Sequence, residues 1–478
     1  MQNPKLINLL RSLDQDEFRQ FKDFIYSPAF NKNKNIIALF DELKKFYPDF
    51  NSKELSDENL FNNIFKDEKF DYFKIKNIIS DLLTLGKEFL SFIKYKKDFY
   101  LKEKFLLEEL RRRNLDIIYE QNYKTAIKRL DETIVKDENY FFKKAEMTNE
   151  VTSFYSPKKP NVNFHFTQER LDFFVSYCVT MLLKMYNVIL HERYQNNYEF
   201  NLRMFENVMD YLKVNKIENN PTLLVYYYII LLETEKQDMY FYELKKLRNK
   251  YKDELNDYDN YMIYLHMDGY CATSFNEYGR TDLLQEQFLL AKENAMNYST
   301  ILGKILYPDF LNEVKKAVRV NEFKWAEEYI SKYSGVLTEE KESTLNFCYG
   351  IISYKKGDLD RALDFFSKAN FPNFIIKVQV KIMLLQLYYE KKYFDQAFLM
   401  ADTFRHYLSR EKLIMNNIRF PLIEFVRIIG DLIKFNMDVK SKKSIQRLNK
   451  IKKDTEALKS NRFGIKIWLI ERLSEIRG

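Results

Sequence analysis

Residues 346–369 read NFCYGIISYKKGDLDRALDFFSKA. The run predicts two antiparallel helices joined by a tight turn at Lys356-Gly357-Asp358. Leu359, Ala362, Leu363, Phe366 and Ala369 recur at helical spacing and mark one apolar face. Gly357 is free to take the left-handed backbone that ends a helix. Asp358 is placed to cap the helix that follows. Two helices approach closely only where a residue with little side chain sits at the contact, and Gly350 and Ala362 meet that need.

The pattern recurs. One period on, Phe394, Ala397, Phe398, Ala401 and Phe404 stand at the same offsets. Large and small exchange between the two copies: Ala401 stands where Phe366 stood, and Phe404 where Ala369 stood. A shared core volume permits that exchange. One period back come Phe323, Ala326, Ile330 and Tyr333, with Glu327 interrupting the apolar face. The three turns read NEFKWA, GDLDRA and KYFDQA. Recurrence in register predicts a helical repeat over 307–408.

Composition agrees with an all-α chain. The 478 residues include 10 Gly and 9 Pro, far fewer than turn-rich β or doubly wound α/β folds require. A chain of this length is long for a single core, and stacked repeats avoid that limit because each unit is buried by its neighbours. Lys and Arg number 77 against 69 Asp and Glu, a net charge of +8 that is mild for the length. The 41 Phe and 35 Tyr accompany abundant Lys, Asn and Ile. All five have A/T-rich codons, so the aromatic content does not by itself mark a nucleic-acid surface.

The chain divides into four segments. Residues 1–95 form an N-terminal helical domain, with Asp14 and Glu17 as a capping pair and Ser56 as a further cap. Residues 96–300 carry degenerate helical hairpins, broken by a proline-containing loop near 153–165. There the run LDFFVSYCVTMLLKMYNVIL is apolar on all sides and is expected to lie sandwiched between neighbours. Residues 301–408 hold the repeats. Residues 409–478 supply capping helices, and between Asp438 and Lys466 ten Lys/Arg face three Asp/Glu.

Chemistry-bearing motifs are sparse. The four His (His165, His191, His266, His406) have no histidine partner at ligand spacing, and His266 with Cys271 has no further ligand. Cys178, Cys271 and Cys348 are scattered and odd in number, which argues against a disulfide framework. HExxH, Walker-type, GxGxxG and GxSxG patterns do not occur. No catalytic, metal or cofactor-binding residues are expected. The N-terminus lacks the layout of a signal peptide, and the longest fully apolar run, Leu223 to Leu232, is too short to span a bilayer. A cytoplasmic protein with no membrane partner is expected.

Segment 307–408 resembles the tetratricopeptide (TPR) repeats in motif and period. The resemblance implies a right-handed α–α solenoid of TPR-like hairpins, with the first helix of each unit lining a concave groove that holds extended peptides. Carried over by position, the groove-facing residues are Asn312, Lys315 and Arg319, then Phe347, Ile351, Tyr354 and Lys355, then Ile382, Gln386 and Tyr389. The Lys/Asn/Arg carboxylate clamp of chaperone-binding members is not matched, since Phe347 and Ile351 occupy its positions in the best unit. The whole chain is also similar to an uncharacterised family of TPR-like proteins found mainly in Bacteroidota. The phrases YSPAFNKN, SDLLTLGKEFL, EFKWAEEYISKY, KGDLDRALDFFSKA and ADTFRHYLSR carry that likeness. The expected function is a non-enzymatic scaffold that binds a protein or peptide partner on the concave face. The alternative is a nucleic-acid-associated protein using the basic 438–466 stretch.

Overall fold

A computed structural model describes residues 4–52, 54–158, 164–195, 200–215, 220–294, 305–337, 339–411, 414–437 and 444–476. These residues are overwhelmingly helical and contain no β-strand, only an isolated bridge between Ile305 and Leu337. The chain divides into two compact units, one of residues 1–133 with 143–173, the other of residues 134–142 with 174–478.

The first unit begins with α1 (Pro4–Ser12), α2 (Gln15–Tyr26), α3 (Lys34–Leu43), α4 (Asp57–Ile64) and α5 (Tyr72–Lys97). Their buried residues, from Leu6 to Ile93, make one apolar core. Caps set the helix starts: Asp14 accepts the Glu17 N–H at 2.8 Å and Ser56 the Asn59 N–H at 3.1 Å. The expected reciprocal cap from Glu17 is replaced by an ion pair, its carboxylate lying 3.2 Å from Lys97. Next come α6 (Phe99–Arg112), α7 (Asp116–Asp131) and the later part of α8 (Glu138–Tyr155). Tyr119 stacks on Phe154 at 3.8 Å between ring centres in the second core of this unit.

The helix α9 (Phe164–Gln195) departs from expectation. It is long and apolar enough over Phe164–Glu192 to cross a membrane. It is not covered on all sides: Thr180, Leu183, Tyr186 and Asn187 are buried, whereas Leu171, Phe174, Met185 and Val188 are exposed. The apolar run therefore overstates how much of the helix is packed. The predicted loop near 153–165 is shorter than expected: α8 runs on to Tyr155, residues 156–158 form a turn, α9 starts at Phe164, and residues 159–163 lie outside the described residues.

The second unit continues with α10 (Phe205–Val214), α11 (Pro221–Glu235), α12 (Asp238–Tyr251), α13 (Asp257–Tyr278) and α14 (Leu283–Asn294). Asn220 caps α11 by accepting the Leu223 N–H at 2.9 Å, and Pro221 opens it. Three hairpins follow: α15 (Tyr307–Arg319) with α16 (Phe323–Tyr333), α17 (Lys341–Lys355) with α18 (Leu359–Lys368), and α19 (Phe374–Glu390) with α20 (Phe394–Arg410). The chain then runs through α21 (Asn416–Met437), α22 (Ser444–Ala457) and α23 (Ile465–Glu475).

The three hairpins share one turn. Asn321, Gly357 and Lys392 take left-handed backbone, with φ of 63°, 84° and 59°. In each, the next residue's N–H reaches back five residues: Glu322 to the Ala317 carbonyl, Asp358 to Ser353 and Tyr393 to Tyr388. The left-handed residue's own N–H donates to Val318, Tyr354 or Tyr389. These are the two bonds of the Schellman helix stop, and they satisfy carbonyls the ended helix leaves open. Five residues after each left-handed position stand Ala326, Ala362 and Ala397, all fully buried. On the facing helix, a Cβ on Gly350 would lie only 3.0 Å from the Phe366 ring. Glu327, which interrupts the apolar face, is exposed and pairs with Lys356 at 2.7 Å.

Candidate functional site

The first helices of the hairpins, α15, α17 and α19, turn one face onto a cavity of about 890 Å³ within the second unit. Asn312, Lys315, Arg319, Phe347, Ile351, Tyr354, Lys355, Ile382 and Gln386 all line it. Tyr389, the tenth residue expected on this face, does not. It is buried behind the wall, its ring 5.4 Å from Trp468 and its hydroxyl accepting from Asn436 Nδ2 at 2.8 Å.

Two further walls come from distant sequence. The second half of α13 contributes Asp268, Phe275 and Asn276, the segment leading into α23 contributes Arg462 and Phe463, and α23 itself contributes Trp468 and Glu471. Buried Asn461 joins these walls. Its N–H donates to the Asn276 carbonyl at 2.8 Å and its Nδ2 to the Phe275 carbonyl at 3.5 Å, across 186 residues of chain. Its Oδ1 accepts the Ile467 N–H at 3.0 Å and so starts α23. Phe463 holds a left-handed backbone (φ 63°), a strained choice for a bulky residue, at the cavity wall. No local signal in the sequence announces this return of the chain.

Glu390 fixes the wall on the other side. Its Oε1 accepts from the Tyr354 hydroxyl at 2.6 Å and from Trp468 Nε1 at 2.6 Å, and Arg472 lies 3.4 Å away. Burial, then the Glu390 carboxylate, hold the Tyr354 phenol neutral, well above the ordinary tyrosine range. That hydroxyl is committed to structure.

The three cations of α15 all line the cavity but differ in their partners. Lys316 is buried between two carboxylates, Asp268 at 2.7 Å and Glu313 at 2.7 Å, and also donates to the Tyr264 hydroxyl at 2.8 Å. Burial works against its charge, but the two carboxylates outweigh it and raise its pKa. Lys315, its neighbour on the helix, faces the cavity and among the described residues donates only to the neutral Gln379 Oε1, at 2.9 Å. Arg319, one turn on, lies over the Phe275 ring at 4.9 Å and has no carboxylate or hydrogen-bond acceptor among the described residues. Both are enclosed by protein yet keep surface open to the cavity. Burial, then the neighbouring Arg319 charge, lower the Lys315 pKa to about 7. Burial also pushes Arg319 down, with Asp268 opposing. Lys355 and Arg462 line the cavity too, again with no carboxylate partner among the described residues.

Other expected features lie elsewhere. His266 bonds Glu233 through Nδ1 at 2.7 Å. Cys271 is core packing, its thiol pushed up to about 12 chiefly by burial. Of the basic stretch, Arg447, Lys450, Lys452 and Lys453 fall on α22, which buries Leu448 and Ile451 and leaves those four side chains exposed. Residues 438–443 of that stretch lie outside the described residues. Among the described residues no group of three His, Cys, Asp or Glu is placed to hold a metal ion.

No family model, curated protein or solved structure matches this chain.

Proposed function

We propose that the hairpins of residues 307–410 wind as a right-handed TPR-like solenoid and act as a non-enzymatic scaffold that takes a segment of a partner protein on their concave side. One observation carries the reading: nine residues assigned to that side by repeat position converge on a single cavity. The three identical helix stops support the repeat itself. A cavity near 900 Å³ suits a few side chains rather than a whole domain.

The test is differential partner recovery with the full chain. A photoreactive group at Lys355, which is exposed at the cavity, should cross-link a partner from the cell that makes this protein. Lys315→Glu combined with Arg319→Glu should remove that cross-link while far-ultraviolet circular dichroism stays unchanged. Equal recovery from the folded double variant would refute the assignment of the cavity as the partner site.

A further inference from the structure

We propose that the cavity receives an oxyanion, a carboxylate or phosphate on an apolar or aromatic stem, seated between Lys315 Nζ and the Arg319 guanidinium. The inference rests on the cavity being the binding site and adds the chemistry of what enters it.

The argument starts from a contrast inside α15. The fold can neutralise a buried lysine, because Lys316 receives Asp268 and Glu313. Among the described residues it supplies nothing comparable one residue away. Lys315 meets an amide oxygen and Arg319 an aromatic face. Like charges one turn apart repel, and an enclosed cation without a counter-ion is costly. Lys355 and Arg462 add positive charge with no carboxylate partner among the described residues, while Asp268 is occupied by Lys316 and Glu471 is near Arg472 at 3.8 Å. The cavity field is therefore positive and unsatisfied. An oxyanion supplies the missing acceptors, and a guanidinium can meet it with two parallel bonds.

The rest of the lining defines the stem. Phe347, Ile351, Phe374, Ile382, Ile418 and Trp468 present apolar or aromatic surface. A bare inorganic anion leaves that surface wet, and a neutral apolar ligand leaves two cations unpaired. A molecule with both parts satisfies both.

The site also couples binding to protonation. Lys315 faces Arg319 and Lys316 from its own helix, Cys348 and Lys355 from α17, and the uncharged Gln379 from α19. Asp268 of α13 faces Arg319 rather than Lys315. With a pKa of about 7 in the empty cavity, Lys315 is partly neutral at neutral pH. An incoming anion raises that pKa, so binding takes up protons. Affinity falls as pH rises through the empty-site value, while Arg319 stays charged.

The test uses the full chain carrying Trp325→Phe, which leaves Trp468 as the sole tryptophan reporter at the cavity wall. The probes are 4-phenylbutyrate, phenyl phosphate and the neutral 4-phenylbutyramide. At least one anion should change Trp468 emission and bind about tenfold or more tighter than the amide at pH of about 6.5, with the advantage shrinking by pH of about 9. A preference for the carboxylate or for the phosphate assigns the source of the oxyanion. Lys315→Gln and Arg319→Gln should each weaken the anion about tenfold and leave the amide unchanged. An amide that binds as tightly as both anions overturns the oxyanion inference but leaves the cavity reading standing. Absence of anion binding up to about 10 mM overturns it as well, since a purpose-built anion site exceeds that affinity. The comparison of acid with amide needs neither charge variant, so a misfolded variant does not obscure the result.

Discussion

Removing the charge at position 315 should make the empty protein more stable, by an amount that depends on pH. Lys315→Met keeps the length and the apolar stem and deletes the ammonium. The unfolded chain holds the Lys315 proton up to the ordinary pKa of 10.5, the folded chain only up to about 7. Between those values the unfolded state binds more protons, so wild-type stability rises with pH across that window. Below pH 7 the full cost of the buried charge is present. The gap between 10.5 and about 7, at about 1.4 kcal/mol per pH unit, sets a ceiling of roughly 5 kcal/mol. The bond to Gln379 and the open cavity surface soften it, and a gain of about 1–3 kcal/mol is expected at pH of about 6. Urea unfolding at about pH 6, 8 and 10 measures the difference. It should shrink steadily and vanish near the unfolded pKa. Lys316→Met provides the opposite sign: it strands Asp268 and Glu313 and should cost about 3–5 kcal/mol near neutrality. A Lys315→Met protein that is less stable at pH 6, or a gain that does not change with pH, would refute the account of the cavity charge.

Two further expectations concern the frame around the cavity. Gly350→Ala gains about 1 kcal/mol of helix propensity but places a Cβ 3.0–3.1 Å from three ring atoms of the fully buried Phe366, an overpacking cost of about 1–3 kcal/mol. A net loss that Phe366→Leu converts to a gain would confirm the contact in a double-mutant cycle; a gain in the single variant would deny it. Asn461→Ala removes the side-chain bonds to Phe275 and Ile467 and should cost about 1–3 kcal/mol. Hydrogen exchange should speed at Ile467 while the α17–α18 hairpin keeps its protection, and unchanged exchange at Ile467 would count against the latch.

The hairpins were legible where chemistry and conformation coincide. Gly357 announces a left-handed turn because glycine alone enters that region without cost. Asn321 and Lys392 adopt the same backbone, and the lysine gives no warning of it. Asn114 forms the same stop between α6 and α7, with the Leu115 N–H donating to the Leu110 carbonyl at 3.0 Å. There the small residue of the later hairpins is replaced by Tyr119, also fully buried. The geometry persists while the volume pattern is rewritten, so that hairpin leaves only a faint trace in the sequence. The cavity was half legible for a related reason. Repeat position locates the inner faces of α15, α17 and α19. It cannot distinguish Lys315 from Lys316, because their difference lies in whether Asp268, on another helix, stands opposite. The third wall depends on a contact spanning 186 residues, beyond the reach of any local pattern.

That long-range latch also bears on how the cavity is assembled. Each hairpin closes over a few residues and can form quickly, whereas joining Asn461 to the end of α13 closes a far longer loop at a greater entropic cost. A chain halted before Asn461 could fold all three hairpins and still lack the wall that carries Arg462, Phe463 and Trp468. On loop-closure cost alone, the cavity is expected to be completed after the hairpins that line it. Fraying of this one segment would take that wall away again, so a looser latch would shorten the residence time of a bound group.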